Sequence, residues 1–125
     1  MKLAVNTVIF GLNEAVSEAL VLAESAGVDL PTAYDVMTAS AIGAPFVAYK
    51  RDAFLAPDTT PPAFALNLAA KDLGLILGFA ASGGVPMPQA ETNLAEVERA
   101  STDGRGDLDF TTVAGELRDR WREGR

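Results

Sequence analysis

The stretch KLAVNTVIFGLNEAVSEALVLAESA, residues 2–26, decides the fold that we predict for this chain. It contains no proline and one internal glycine, and Gly27 follows it, so it predicts a single helix roughly 37 Å long at about 1.5 Å per residue. Successive side chains placed about 100° apart give a wide apolar arc, two narrow polar stripes and an apolar ridge between the stripes. A helix that is apolar on two sides needs cover on two sides. We therefore expect a central helix or an oligomer helix.

The remaining segments are also predicted to be helical, each ending at glycine or proline. The predicted helices are residues 30–40, 46–54, 63–82, 89–100 and 110–122. The helix over 63–82 carries leucine nearly all the way round, which predicts burial. We find no alternating strand pattern and no internal repeat. The sequence therefore predicts an all-α, multi-helix domain built around one long N-terminal helix.

The composition fits one domain with an interface. A chain of 125 residues suits a single domain, and 49% hydrophobic residues against 22% charged is apolar for so small a protein. We take the excess to predict a homodimer or a higher homo-oligomer. The net charge of -7 argues against binding to nucleic acid or to anionic membranes. No apolar run is long enough to span a bilayer, so we expect no membrane contact and a cytoplasmic location.

The absence of histidine and cysteine narrows the possible chemistry. It rules out disulfides, thiolate chemistry and a serine–histidine triad, and it makes a zinc site improbable. The loop 104–109 lacks the ligand spacing of an EF-hand, so we predict no metal site. The side chains that remain as candidates for acid–base catalysis are those of Lys, Asp, Glu and Tyr.

Two residues at the head of the first helix are candidates for such work. Lys2 and Asn6 lie one turn apart on one face. A lysine can shuttle a proton where partial burial lowers its pKa from about 10.4 toward neutrality, and a neutral amide can hold a substrate oxygen. The alternative is a frayed N-terminal lysine in water.

The adjacent charges Lys71 and Asp72 stand in the middle of the apolar helix over 63–82. Charges in such a place are costly unless they are paired or used. Phe64 lies two turns before Lys71 on the same face. The alternatives are a charged pair at a solvent-facing seam and a core phenylalanine.

Four motifs in order resemble a known family over essentially the whole chain. They are Lys2-x-x-x-Asn6 on a helix with Glu18-Ala19-Leu20, Phe64-x-x-x-Leu68-x-x-Lys71-Asp72-Leu73, Gly84-x-Pro86-x-Pro88, and Gly104-x-Gly106-Asp107-x-Asp109-Phe110. The chain resembles the C-terminal domain of the β-hydroxyacid dehydrogenases, which are the 3-hydroxyisobutyrate dehydrogenase-like proteins of the 6-phosphogluconate dehydrogenase superfamily.

The resemblance implies a role for each candidate. Lys2 matches the family's catalytic lysine, which gives a proton to the carbonyl oxygen or takes one from the hydroxyl while hydride passes from or to NAD(P). Asn6 matches the amide that holds the substrate. Lys71 matches a lysine at the cofactor site, and Phe64 and Asp72 match residues that line the cleft, so the resemblance implies that all three bind the cofactor. The substrate implied is a short β-hydroxyacid or the matching oxoacid or semialdehyde.

This sequence departs from the family because the N-terminal dinucleotide-binding Rossmann domain is missing. We expect residues 1–125 to be the catalytic and oligomerisation domain, to need that Rossmann domain as a partner, and to be inactive alone. NAD and NADP cannot be distinguished, since the discriminating residues lie in the missing half. The competing hypothesis is a non-catalytic helical dimerisation module.

Overall fold

The predicted long helix is present as α1, Lys2–Ser25, in the computed structural model, which describes all 125 residues. Gly27 follows it with φ 85°, a left-handed conformation that glycine adopts without a Cβ clash. The side chain of Asp29 then accepts a hydrogen bond from the amide of Thr32 and caps the next helix. The chain therefore reverses direction within a few residues.

Six further helices complete the domain. They are α2 (Leu30–Ala39), α3 (Pro45–Tyr49), α4 (Arg51–Leu55), α5 (Leu66–Ser82), α6 (Pro88–Ala100) and α7 (Val113–Glu123). A wide turn, Ser101–Arg105, and a 3-10 turn, Phe110–Thr112, join α6 to α7. The chain forms no strand, only one isolated antiparallel bridge between Ala65 and Asp109. The all-α prediction is confirmed.

The long helix is central, because α1 packs against α2, α5, α6 and α7. The core is aromatic near the first half of α1. The ring of Phe110 lies 5.8 Å from that of Phe10, 5.9 Å from that of Phe46 and 5.7 Å from that of Phe64, measured between centroids. These rings join α1, α3 and the segment before α5 to the 3-10 turn. That junction is where the candidate site lies.

The predicted boundaries differ from the structure in three places. The helix predicted over 46–54 divides into α3 and α4 at Lys50. The helix predicted from residue 63 begins at Leu66, because the amides of Ala63 and Phe64 donate to the side chain of Asp109 instead. The last helix begins with a 3-10 turn capped by that same aspartate.

The faces of α1 are distributed otherwise than its pattern suggests. The polar residues Asn13, Glu14 and Ser17 are buried, whereas Val8 and Leu22 are exposed. Asn13 turns inward because its amide donates to the backbone carbonyl of Phe110 at 3.1 Å. Within this chain α1 is covered on one side, and its other apolar side meets solvent.

The predicted burial of the leucine-rich helix is wrong for half of its circumference. On α5, Leu73 and Ile76 are buried, but Leu75 is 55% exposed and Phe79 is 72% exposed. One face of α5 packs on α6 and α1. The opposite face has nothing over it in a single chain, and an apolar pattern alone does not distinguish a core from an interface.

One feature of α1 also bears on the membrane. Contrary to the expectation from the sequence, α1 is long and apolar enough to cross a bilayer by length and composition alone, with a mean hydropathy of 1.3 over its most apolar stretch. The core helix of a folded domain meets the same measure, and α1 contacts four other helices.

Candidate functional site

Asn6 and Phe64 line the same cavity, although 58 positions separate them in the sequence. Its volume is about 230 Å³. Its lining residues are Asn6, Ile9, Phe10, Tyr49, Lys50, Ala63, Phe64 and Phe110. The cavity therefore combines aromatic walls with one neutral amide, one phenol and one lysine, a combination that suits a small organic molecule with a polar end.

Lys2 lines a separate apolar groove of about 380 Å³, which shares no lining residue with this cavity. The groove runs between the first turns of α1 and the second half of α5, where Ile76 and Phe79 face it. The side chain of Lys2 is exposed and enters no hydrogen bond or ion pair within the chain. Its amine is therefore free to meet a ligand or a second domain.

Lys71 and Asp72 line neither the cavity nor the groove. Lys71 lies on the exposed face of α5, and Asp72 is half-buried on the next face. The α5 residues that face the groove of Lys2 come five to nine positions after Lys71. The structure thus brings Asn6 and Phe64 together and leaves the two lysines on separate surfaces of this chain.

The charged pair that the structure buries is Lys50 with Asp109. The Nζ atom of Lys50 lies 2.9 Å and 3.1 Å from the two carboxylate oxygens, and only 3% of Lys50 and 8% of Asp109 is exposed. Burial on its own would raise the pKa of Asp109, but the hydrogen bond from Lys50 and backbone hydrogen bonds hold that pKa below its usual value. Asp109 is therefore an ionised carboxylate, and it is bonded to Lys50, which lines the cavity.

Sequence reasoning missed this pair. Among the sequence motifs, Asp109 stands in the fourth, and Lys50 stands in none. One local signal existed, because an aspartate two residues before Thr111 can cap the turn that follows, and it does accept from that amide at 3.1 Å. Nothing in the spacing joins positions 50 and 109.

A second missed group is Glu14, which is buried on α1. It is 5% exposed, and its Oε1 atom has no hydrogen-bond partner. Burial first, and then the nearby carboxylates of Glu96, Glu18 and Glu116, raise its pKa to about 8 against the opposing charge of Arg120. Glu14 is therefore mostly protonated at neutral pH.

A larger concavity of about 460 Å³ lies elsewhere, between the proline-rich loop and α7. None of the predicted site residues lines it. Its two guanidinium groups already have acidic partners, since Arg105 pairs with Asp103 and Asp119, and Arg118 pairs with Glu24. Its volume alone does not make it a candidate for the chemistry.

Comparison with known proteins identifies the family of this chain. Residues 1–117 match the family described as NAD-binding of NADP-dependent 3-hydroxyisobutyrate dehydrogenase. The chain belongs to this family. The resemblance stated from the motifs is thereby confirmed, and so is the predicted cofactor class of NAD or NADP, which the description of the family names.

Individual members of the family are about one-third identical to this chain. It is 34% identical over 113 residues to glyoxylate/succinic semialdehyde reductase 1 of Arabidopsis thaliana. The aligned segment covers 90% of this chain and 39% of that relative. It is 33% identical over 119 residues to 3-sulfolactaldehyde reductase of Escherichia coli (strain K12), covering 94% and 40%.

Solved structures agree with the fold. The crystal structure of 3-hydroxyisobutyrate dehydrogenase from Salmonella typhimurium superposes with a TM-score of 0.84 at 31% identity, over 91% of this chain and 40% of that one. The Mycobacterium tuberculosis 3-hydroxyisobutyrate dehydrogenase gives 0.80 at 28% identity. The chain spans about two-fifths of the length of these relatives.

Proposed function

We propose that this chain is the C-terminal helical domain of an NAD(P)-dependent oxidoreductase that acts on a short β-hydroxyacid or on the matching oxoacid or semialdehyde. One observation carries the proposal: in a chain of this family, Asn6 and Phe64 line one small cavity at the head of α1. Lys2 lies one turn before Asn6, at the near end of the same helix.

Lys2 is the general acid–base group of this proposal. NAD(P), when bound, supplies or accepts the hydride at the carbonyl carbon. In the reductive direction the ammonium of Lys2 gives a proton to the carbonyl oxygen, and in the oxidative direction its neutral amine takes the proton from the hydroxyl. The amide of Asn6 holds that oxygen in place without adding a charge. Because Phe64 shares the cavity of Asn6, we assign its ring to the carbon skeleton of the substrate instead of to the cofactor.

Lys71 and Asp72 are assigned to the cofactor side of the cleft. The exposed amine of Lys71 has no acidic partner within the chain, so it is free to contact the phosphates of a dinucleotide. The chain carries no glycine-rich strand–turn–helix fingerprint of its own. A Rossmann domain must therefore supply most of the dinucleotide contacts, and it would also cover and desolvate Lys2.

The proposal predicts that the 125-residue chain alone does not turn over. NAD(P)H oxidation by the isolated chain with short 2- or 3-oxoacids should stay at background. Turnover should appear in what we call the two-domain enzyme, in which a Rossmann domain from a relative is joined ahead of Met1. Clear oxidation of NAD(P)H by the isolated chain would contradict the proposal that turnover needs both domains.

The test of the catalytic assignment is Lys2→Ala in the two-domain enzyme. Loss of a positioned general acid should lower kcat by about 10²- to 10⁴-fold. The matched control is Lys71→Ala, which should raise the KM for the dinucleotide and change kcat little. Full activity of the Lys2→Ala enzyme would show that the assignment is wrong.

A second candidate function follows from the exposed apolar residues. Leu22 on α1 and Phe79 on α5 are each 72% exposed, and such surfaces commonly mark an interface. In this alternative the chain is a helical dimerisation module without chemistry, and Lys2 and Lys71 are ordinary surface residues. Light scattering should show self-association under either proposal, so only the Lys2→Ala result separates them.

A further inference from the structure

The wall of the cavity that contains Phe64 depends on a short backbone junction. The segment before α5 runs beside the segment before the 3-10 turn. The amide of Phe110 donates to the carbonyl of Phe64 at 2.9 Å, and the amide of Leu66 donates to the carbonyl of Leu108 at 2.8 Å. These bonds join two loops, so the position of Phe64 does not follow from the helical ladder of α5.

The carboxylate of Asp109 is the centre of this junction. Its Oδ2 atom accepts from the backbone amides of Ala63 at 3.0 Å and Phe64 at 3.3 Å. Its Oδ1 atom accepts from the amide of Thr111 at 3.1 Å. The ammonium of Lys50 binds both oxygens. One buried carboxylate therefore receives donors from both loops and from the α3–α4 break.

We propose that Asp109, held by Lys50, is a positioning residue of the proposed enzyme: its carboxylate fixes the backbone of Phe64 and thereby the ring against which the substrate packs. This proposal rests on the function proposed above for the cavity. Neither charged group is assigned to the reacting atoms. Asp109 acts through the backbone and the ring of Phe64, whereas Lys50 also lines the cavity itself.

Two contacts explain why a lysine is needed at position 50. Its ammonium neutralises Asp109 inside the protein, where an unpaired carboxylate is costly. It also lies 4.7 Å from the centroid of the Phe110 ring, a favourable cation–π distance. Because Phe110 packs edge-on to Phe64, the same lysine holds both the backbone and the ring stack in place.

The variant that tests this proposal is Lys50→Met combined with Asp109→Asn. Asp109→Asn alone leaves an unpaired buried ammonium and can unfold the chain, whereas the double variant removes both charges. An amide side chain has one acceptor oxygen, so Asn cannot serve the amide of Thr111 and the amides of Ala63 and Phe64 together. Lys50→Arg is the conservative variant, and Asp35→Asn, which breaks the exposed pair of Asp35 with Arg51, is the control.

The first measurement is hydrogen exchange in the isolated chain. In the double variant the amides of Ala63 and Phe64 should exchange at least about tenfold faster, while the amides of the α1 core keep their protection. Asp35→Asn should change neither. Equal acceleration at all positions would reveal a merely structural role and overturn the proposal, and so would unchanged exchange at Phe64.

The second measurement is the steady-state kinetics of the two-domain enzyme. The double variant should raise the substrate KM about tenfold and change kcat by less than about threefold, and Lys50→Arg should restore most of the KM. A wild-type KM would overturn the positioning role while leaving the proposed function intact. Failure of the proposed function is recognised separately, because the Lys2→Ala enzyme would then keep its activity.

Discussion

Two lysine–aspartate pairs in this chain behave in opposite ways. Lys71 and Asp72 are adjacent in an apolar helix, and the sequence singles them out. Lys50 and Asp109 are 59 residues apart, and their spacing does not join them. In the structure the distant pair is buried and bonded, whereas Lys71 is exposed. Neighbours on a helix point about 100° apart and do not face each other, so adjacency did not mean pairing.

The two lysine–aspartate pairs use their charges for different purposes. The buried pair fixes the shape of the cavity wall, and an ion pair so placed is sensitive to the loss of either member. The exposed residues are available to another domain or to a ligand. We therefore expect changes at Lys50 and Asp109 to lower stability as well as to raise the substrate KM, and changes at Lys2 and Lys71 to affect activity with little effect on stability.

The largest effect on stability is expected from Asp109→Ala. The substitution leaves the ammonium of Lys50 buried without its partner, which should lower the free energy of unfolding by about 3–5 kcal/mol. The control Asp35→Ala breaks the exposed pair with Arg51 and should cost at most about 1 kcal/mol. Urea denaturation at neutral pH measures both. A cost below about 1 kcal/mol for Asp109→Ala would remove the contrast between the pairs.

The next largest effect is expected at Glu14, a buried carboxyl without a cationic partner, which should make the free energy of unfolding depend on pH. The pKa of Glu14 is raised from 4.5 to about 8, so between these values the folded state holds a proton that the unfolded state has lost. The free energy of unfolding therefore decreases as pH rises, by roughly 2 kcal/mol between pH 6 and 7.5.

Glu14→Gln should abolish most of this decrease, because the amide does not titrate. The measurement is the unfolding free energy of both proteins at several pH values in that range. Glu98→Gln, at an exposed position of α6, is the matched control and should retain the slope. Parallel pH profiles for the wild type and Glu14→Gln would contradict the assignment.

A smaller effect is expected at a buried tyrosine. Tyr34 is fully buried, and its hydroxyl donates to the carbonyl of Val47 at 2.6 Å. Tyr34→Phe leaves that carbonyl without its partner and should cost about 1–2 kcal/mol. Tyr49 is exposed, so Tyr49→Phe should be neutral. Thermal unfolding of the two variants tests whether buried polar contacts stabilise α2 against α3.

The smallest effect on stability is expected at the adjacent residues Lys71 and Asp72 of α5. Lys71→Ala and Asp72→Ala should each change the unfolding free energy by less than about 0.5 kcal/mol. In the two-domain enzyme, by contrast, Lys71→Ala should weaken dinucleotide binding and reduce its salt dependence. A large loss of stability from either substitution would show that this pair is structural after all.

Much of the fold was predictable because it depends on local signals. The extent of α1, the reversal at Gly27 and the cap at Asp29 follow from helix propensity and capping chemistry. The split at Lys50 and the late start of α5 were not predictable, because the side chain of Asp109, 59 positions after Lys50 and 45 after Phe64, provides the hydrogen bonds there. The inward turn of Asn13 has the same origin, since its partner is a distant carbonyl.

The site was predictable in part. Motif order pointed to Asn6 and Phe64, and the structure places them at one cavity. The roles of all five candidates remain predictions: Lys2, Asn6, Phe64, Lys71 and Asp72. The positioning pair was not predictable, because no periodicity relates Lys50 to Asp109.

The most direct test of the central claim is chemical rescue of the Lys2→Ala two-domain enzyme. Single-turnover reduction should be slow in the variant and should speed up in proportion to added ethylamine, because a small ammonium can occupy the space of the missing side chain and give the proton. Amines of different basicity should differ in the rate that they restore. Undiminished reduction without any amine would contradict the account, and so would a slow rate that amines fail to raise.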